Sequence, residues 1–140
     1  MTRKSMAFAE MGPMIVSVHA AQAPTDAEWD AYLQLCRKKM AQERIRTLAV
    51  TAGGAPTTKQ RAAIRELLRQ GPVPAAVVTD VTVVWGIVTA LGWFNAGIRA
   101  FAFNEGAGIH DALKYLQVEG FVAASVLLNV REMQRELGSR

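Results

Sequence analysis

Short β-rich runs alternate with helix-like segments along almost the whole of this chain. The first two runs, 5–11 and 14–19, flank the turn dipeptide Gly12-Pro13, which favours an antiparallel hairpin. Beyond the hairpin, strands and helices alternate, which is typical of parallel strands joined by right-handed crossovers. The later predicted strands are 45–51, 74–79 and 98–103, and helices are predicted to begin near residues 25, 57, 81, 108 and 121. We therefore predict an α/β fold: a single domain with a mixed, mostly parallel β-sheet, an N-terminal antiparallel hairpin, helices packed on the sheet and an extra C-terminal helix.

The composition fits one folded domain with a surplus of apolar residues. The 140 residues suffice for one sizeable core, and 51% of them are hydrophobic against 20% charged, which excludes a disordered chain. We expect the surplus to form an apolar patch that is covered by the chain itself or by a second molecule. The net charge of +4 permits contact with anionic partners but does not indicate nucleic acid binding. Because Cys36 is the only cysteine, an intrachain disulfide is excluded, and we expect a cytoplasmic protein.

A capping motif predicts the start of the first helix. Thr25 and Glu28 have the Thr-x-x-Glu spacing in which each side chain satisfies a backbone amide of the other residue. The apolar residues that follow at helical spacing are Trp29, Leu33, Cys36 and Met40. This placement makes Cys36 a buried structural thiol rather than a nucleophile.

A glycine-rich loop, TAGGAPTTK at 51–59, lies between a predicted strand and a predicted helix. Backbone amides at such a position can bind phosphate or another anion. The chain has neither the Walker spacing nor G-x-G-x-x-G, so the preferred interpretation is a structural turn with Thr57 or Thr58 as the helix N-cap. A phosphate-related role for the loop is the alternative.

The helix after this loop carries a row of cations. Its members are Lys59, Arg61, Arg65 and Arg69. Such a row usually forms a solvated helix face. The functional alternative is a docking surface for an acidic partner, placed beside Thr57 and Thr58.

The charge-free stretch 81–98 is long enough for a membrane-spanning helix to be considered. A buried helix at 81–95 followed by a strand explains it better, so membrane association is not expected. The final helix, 121–137, is a second concentration of apolar residues. We predict that these two helices form a homo-oligomeric or partner interface. The residues assigned to that interface are Trp85, Trp93, Phe94, Val126, Val130 and Met133.

No catalytic constellation is visible in the sequence. His19 and His110 lack cysteine or carboxylate companions at metal-ligand spacing, so no metal site is predicted. The chain has no G-x-S-x-G elbow for a nucleophilic serine. We therefore predict a non-enzymatic protein that uses neither a cofactor nor a metal.

The order of the elements and two stretches of sequence resemble the STAS domain, a family named for sulfate transporters and anti-sigma-factor antagonists. The stretch VTALGWFNAGIRAFAFNEGAGIHDALKYL, 88–116, resembles the family's apolar helix, Leu-Gly-Phe-like break, strand and short helix with an Ala-Leu pair. The upstream stretch 14–54 resembles the family's second strand, first helix and central strand. The stand-alone, SpoIIAA-like members fit the length best. We assign 1–120 to the STAS-like domain and 121–140 to a C-terminal helical extension that packs on the same domain or on a partner.

The resemblance implies a regulatory protein that binds a protein partner. In stand-alone members, the loop entering the second helix carries Asp-Ser or Asp-Thr, and a partner kinase that is also an anti-sigma factor phosphorylates the hydroxyl. Thr57 takes the place of that hydroxyl here, Thr58 lies beside it, and Pro56 stands where the family keeps Asp. A phosphate adds close to two negative charges and can abolish docking. The residues assigned to partner binding are Gly53, Gly54, Lys59, Arg61, Arg65 and Arg69.

Two alternatives from other functional classes stay open. One is a small-ligand or lipid-binding module, because STAS-like folds are similar to lipid-transfer domains and 81–103 is very apolar. The other is a self-assembling structural subunit that uses the apolar helices 81–95 and 121–137.

Overall fold

In the part of the chain that the structure describes, five strands form one sheet in the order in which they occur in the sequence. The computed structural model describes residues 4–71, 73–92, 98–102 and 107–138. The strands are β1 (Met6–Met11), β2 (Met14–His19), β3 (Arg46–Thr51), β4 (Ala75–Val78) and β5 (Ile98–Phe101). The helices are α1 (Asp26–Met40), α2 (Thr58–Leu68), α3 (Thr82–Gly92), α4 (Ala107–Tyr115) and α5 (Gly120–Glu136). The predicted α/β fold with an additional C-terminal helix is confirmed.

The predicted hairpin is present at one edge of the sheet. β1 pairs with β2 in antiparallel register, from Met6 opposite His19 to Met11 opposite Met14. Gly12 supplies a φ of 59° in the connecting turn, a conformation that glycine adopts without steric cost. Every later neighbouring pair of strands is parallel, as the strand and helix alternation predicts.

The sheet separates two layers of side chains. On one face, alternate residues of β2 such as Val16 and Val18 pack with Leu48 of β3 against α4 and α5. On the other face, Ile15 packs with residues of α1 and α2, among them Leu33 and Leu67. All six residues of β2 are buried, because helices cover both of its faces.

The predicted capping box at the start of α1 is confirmed. Thr25 Oγ1 accepts a hydrogen bond from the amide of Glu28, and the Glu28 carboxylate accepts one from the amide of Thr25. The same carboxylate also accepts from the amides of Ser5 and Met6, which ties α1 to the start of β1. These hydrogen bonds lower the pKa of Glu28 against the opposing effect of desolvation, which is the largest single influence.

Helix α5 lies against β1 and β2 of its own chain. Val126, Val130 and Met133 are buried there, at 0%, 1% and 6% exposure. The sequence pattern assigned these three side chains to an oligomer or partner interface. That assignment is wrong, because they are buried in the chain's own core. The physical reason is that the β1–β2 face needs an apolar cover, and burying each such side chain contributes about 1.5–3 kcal/mol.

Helix α3 is less buried than its sequence suggests. Of its side chains, Val84 and Val88 are buried, whereas Val83 is 72% exposed and Trp85 is 39% exposed. Among the described side chains of α3, the face that carries Val84 and Val88 therefore packs against the rest of the protein. The predicted interface residues Trp93 and Phe94 lie outside the described residues, as does Phe103 at the end of the predicted fifth strand. In the described part of the chain, no helix combines the length and the apolar character needed to cross a membrane.

Candidate functional site

The loop between β3 and α2 is held in place by hydrogen bonds at its glycines. Thr51 Oγ1 donates to the carbonyl of Gly54 at 2.6 Å and accepts from the amide of Gly53 at 3.1 Å. The amide of Gly54 donates to the carbonyl of Ala20, and a Cβ on Gly54 would collide with the carbonyl oxygens of Ala20 and Gln22. Gly54 is thus required by close packing against the segment after β2, which agrees with the structural interpretation of the loop.

Thr57, rather than Thr58, is the N-cap of α2. Its Oγ1 accepts from the amide of Gln60 at 3.2 Å, and Gln60 Oε1 accepts from the amide of Thr57 at 3.0 Å, which completes a second capping box. Gln60 Nε2 also donates to the carbonyl of Pro24 and to Asp26, so its buried side chain joins the starts of α1 and α2. Sequence reasoning missed Gln60, although the Thr-x-x-Gln spacing was the signal for it. Both threonine hydroxyls lie on exposed residues.

The cations of α2 make contacts within the chain. Arg61 donates to the carbonyl of Pro56 at 2.8 Å and to Thr58 Oγ1 at 3.1 Å. Lys59 forms an exposed ion pair with Asp26, with a nitrogen-to-oxygen distance of 3.3 Å. The pKa of Asp26 is lowered, first by its hydrogen bond with Gln60 and second by its contact with Lys59. The structure therefore brings Lys59, Arg61 and the two threonines together at the start of α2.

The two remaining predicted cations lie further along the same helix. Arg69 pairs with Glu66 at 3.3 Å, an exposed i,i+3 pair of the kind that contributes little to stability. Arg65 is half-buried on this helix and has interactions of its own. Only the first half of the expected basic row is therefore next to the loop.

A cavity of about 100 Å³ lies directly beneath this loop, between the sheet and helices α1, α2 and α3. The loop residues Gly54, Ala55 and Pro56 line it, together with Ser17, His19 and Thr51 at or near the ends of their strands. The remaining lining side chains are mostly apolar, contributed by Trp29, Tyr32, Thr47, Ala49, Ile64, Ala75, Ala76, Val77, Val84, Ile87, Val88 and Ile98. Ligands of open α/β sheets characteristically bind at the carboxyl ends of parallel strands, and His19, Thr51 and the loop residues of this wall lie at those ends.

His19 is the most unusual polar group in the cavity wall. Its Nε2 lies 3.0 Å from Ser17 Oγ, and its Nδ1 has no hydrogen-bond partner among the described residues. Burial lowers the pKa of His19 to about 4, although the charge of Glu28 acts in the opposite direction. The imidazole is therefore neutral near pH 7. The sequence drew attention to His19 only as a possible metal ligand, and the described residues contain no group of three or more His, Cys, Asp or Glu side chains suited to a metal ion.

Tyr32 and Cys36 of α1 extend this buried polar region. Burial raises the pKa of Tyr32 well above its ordinary value, with Cys36 adding to the rise and a hydrogen bond with Ser17 opposing it. Burial also raises the pKa of Cys36 to about 11, which keeps the sulfur as a neutral thiol. The prediction that Cys36 is a structural core residue is confirmed by its 3% exposure.

Trp85 is the one predicted interface residue of α3 that the structure describes. Its indole Nε1 donates to the carbonyl of Thr79 at 3.0 Å while the residue stays 39% exposed. Trp85 is thus anchored to the residue that follows β4 and stays partly exposed. It lies on α3, a different helix from the one that Thr57 caps.

Comparisons of this chain with models of known protein families, with curated proteins and with solved structures find no match. The resemblance to the STAS family therefore stays a prediction from the element order and the two stretches quoted above.

Proposed function

We propose that this chain is a non-enzymatic, STAS-like regulatory domain that binds a protein partner at the surface where the 52–57 loop enters α2. The observation that carries the proposal is the exposed pair of hydroxyls, Thr57 and Thr58, on a loop and helix start that internal hydrogen bonds hold in one geometry. A preorganised surface of this kind loses little conformational entropy on binding.

The charges around the two threonines favour control by phosphorylation. The first turn of α2 contains no acidic residue, and the helix N-terminus carries partial positive charge. Arg61 already donates to Thr58 Oγ1, so a phosphate on this hydroxyl has a guanidinium within reach. Phosphorylation would replace a locally cationic surface by an anionic one, and an acidic partner would then be repelled.

A pair of isosteric substitutions tests the switch. Thr57→Asp adds a negative charge at the N-cap and Thr57→Asn does not, and both residues cap helices well. The purified wild-type chain and each variant are immobilised and exposed to an extract of the cells in which the protein naturally occurs. We expect Thr57→Asp to lose the partner that the wild-type chain captures and Thr57→Asn to retain it. Gln34→Glu, which adds the same charge on an exposed site of α1, serves as the control.

Phosphate mapping completes the test. After incubation of the chain with the same extract and ATP, we expect phosphate on Thr57 or Thr58. Equal capture by all three variants together with an unmodified loop would refute the switch.

Self-assembly is a second candidate, favoured by a different observation on α5. Phe121 is 86% exposed and Leu128 is 65% exposed, and their spacing of seven residues places them on one helix face, opposite the buried Val126 and Val130. Light scattering at tens of micromolar is expected to give a dimer or larger species that Phe121→Glu converts to a monomer. A strict monomer of the wild-type chain removes this candidate.

A further inference from the structure

The imidazole of His19 presents a hydrogen-bonding requirement that the described protein does not meet. The residue is 6% exposed, and Nδ1 is buried without a partner in the described part of the chain. More than nine in ten buried polar groups in native proteins are hydrogen-bonded to protein or water, and an unsatisfied one costs roughly 1–3 kcal/mol. Because His19 lines the cavity beneath the loop, a molecule in that cavity is placed to supply the missing partner.

The cavity exists because small side chains from three strands meet on one face of the sheet. The parallel register sets Ser17 of β2 opposite Ala49 of β3, and Ala49 opposite Val77 of β4. Thr47 and Ala75 form the adjacent pair in the same wall. Larger residues at these positions would bring the sheet into contact with the helices, as Leu48 and Val78 do on the opposite face.

The size of the cavity limits its occupant to a molecule of about one ring. Its volume is about 100 Å³, and a neighbouring cavity of about 50 Å³ shares Tyr32, Ile64 and Ile98 in its wall. For comparison, an engineered apolar cavity of roughly 150 Å³ in another protein binds benzene. The space is therefore of the order needed by a single aromatic ring and is too small for a lipid chain.

The chemistry of the wall selects an uncharged ligand with one polar group. Among the described residues, the lining includes no Asp, Glu, Lys or Arg, so a buried ionic group would find no counter-charge from them. A neutral imidazole has one donor and one acceptor nitrogen, and a hydroxyl group can satisfy either tautomer because it both donates and accepts. The apolar body of such a ligand would contact Ile64, Ile87 and Val88.

We propose that this cavity is a binding site for a small, uncharged molecule with an apolar ring and one hydroxyl group, which hydrogen-bonds to Nδ1 of His19. The site shares Gly54, Ala55 and Pro56 with the loop of the proposed partner surface, but Thr57 and Thr58 are not among its lining residues and can be varied without changing its wall. Binding and partner capture are thus separately measurable.

Titration of the full-length, ¹⁵N-labelled chain with phenol, toluene and benzoate tests the proposal by NMR. We expect phenol to shift the ring ¹⁵N signals of His19 and the amides of Ser17, Ala49 and Gly54. Toluene, which lacks the hydroxyl, should bind about tenfold more weakly, the factor that one hydrogen bond of typical net strength supplies. Benzoate, which is charged, should not bind.

Two variants identify the site. Ala49→Ile fills the cavity and should abolish the binding of both phenol and toluene, whereas Ala124→Ile, the same change at an exposed site on α5, should leave binding unchanged. His19→Leu should remove the preference for phenol over toluene. Circular dichroism of each variant establishes that it is folded, and the comparison of the three probes on the wild-type chain needs no variant.

Three results would overturn the proposal. The first is an unchanged wild-type spectrum with millimolar phenol, which means that Nδ1 is satisfied by water alone. The second is equal affinity of the wild-type chain for phenol and toluene. The third is phenol binding that persists in folded Ala49→Ile, which places the ligand elsewhere.

Discussion

Ser17 Oγ and His19 Nε2 lie 3.0 Å apart inside the protein, on two residues of β2 that face the same side of the sheet. The contact fixes one ring nitrogen of His19 and leaves the other directed to no group of the described chain. Because the ring is buried and neutral, this pair links the stability of the fold to pH and is the basis of the first prediction.

The stability of the chain should fall as the pH decreases from 6.5 toward 4. The pKa of His19 is about 4 in the folded state and about 6.5 in the unfolded state, so between these values the unfolded chain binds more protons. The stabilisation is complete above pH 6.5 and is lost progressively below it, by at most about 1.4 kcal/mol for each pH unit. Unfolding free energies from urea titrations at pH 7 and pH 5 measure it.

The control for this prediction is the other histidine. His19→Gln should flatten the pH dependence in this range, whereas His110→Gln, a change on an exposed residue of α4, should retain the wild-type slope. Parallel curves for the wild-type chain and His19→Gln would show that His19 is not responsible.

Removing the N-cap of α2 should destabilise the chain by about 1 kcal/mol. Thr57→Ala leaves the amide of Gln60 without its acceptor, and Thr57→Ser keeps that acceptor. Urea denaturation should therefore place Thr57→Ser close to the wild type and Thr57→Ala below it. Thr58→Ala loses only an exposed contact with Arg61 and should cost less than Thr57→Ala; the reverse order would contradict the assignment of the cap.

Two glycine-to-alanine substitutions should have opposite signs. Gly54→Ala places a methyl group against the carbonyl oxygens of Ala20 and Gln22 and should destabilise the fold by more than about 1 kcal/mol. Gly86→Ala is in α3 with open space around its Cα, and it should stabilise the fold by about 0.5–1 kcal/mol through the helix preference for alanine. Differential scanning calorimetry of the two variants gives the signs directly. Destabilisation by both would mean that the neighbourhood of Gly86 is more crowded than the structure indicates.

Truncation of the inward face of α5 should destabilise the monomer itself. Met133→Ala removes a buried side chain and should cost about 2–5 kcal/mol, whereas Leu128→Ala on the exposed face should change the unfolding free energy by less than about 0.5 kcal/mol at concentrations where the chain is monomeric. The cost of Met133→Ala should be the same at low and high protein concentration. A cost that grows with concentration would assign Met133 to an interface between chains after all.

Cys36 should resist alkylation while the chain is folded. Its raised pKa, about 11, leaves almost no thiolate at pH 8, and the side chain is buried. Iodoacetamide should label the native chain far more slowly than the urea-unfolded chain, as followed by mass spectrometry. In Ala124→Cys, the cysteine added on the exposed face of α5 should react rapidly in the native state and report on reagent quality. Equal rates for native and unfolded Cys36 would contradict its burial.

The sequence was informative where the determinants are local. The capping box that begins at Thr25 and the turn at Gly12 are each set by residues within a few positions of one another, and both were predicted. The capping box at Thr57 is equally local, but only its threonine was identified as a candidate N-cap and Gln60 was missed. Helical periodicity also identified the apolar seam of α5 correctly. It did not identify what covers that seam, because a partner chain and the chain's own sheet require the same pattern.

The cavity and the state of His19 depend on relationships that spacing does not reveal. Ser17, Ala49 and Ala75 are unremarkable in sequence and form a wall only when the strand register places them side by side. The pKa of His19 is set by burial under α1 and the loop, which follows from tertiary packing. The alternation of side chains along β2 does place His19 on the same face as Ser17. If both faces of this strand are covered, a histidine on it is buried, and burial favours the neutral imidazole; this was the signal available in the sequence.

The two faces of the sheet have different tolerance for change in side-chain size. On the side of α4 and α5, Leu48 is fully buried in a large apolar cluster, so both larger and smaller residues there should lower stability. On the side of Ala49, a modest enlargement exchanges empty volume for new contacts and is the more accommodating route for substitution. In a library of variants selected for folding alone, larger residues should therefore be enriched at position 49. Retention of a small residue there would indicate that Ala49 has a role other than stability.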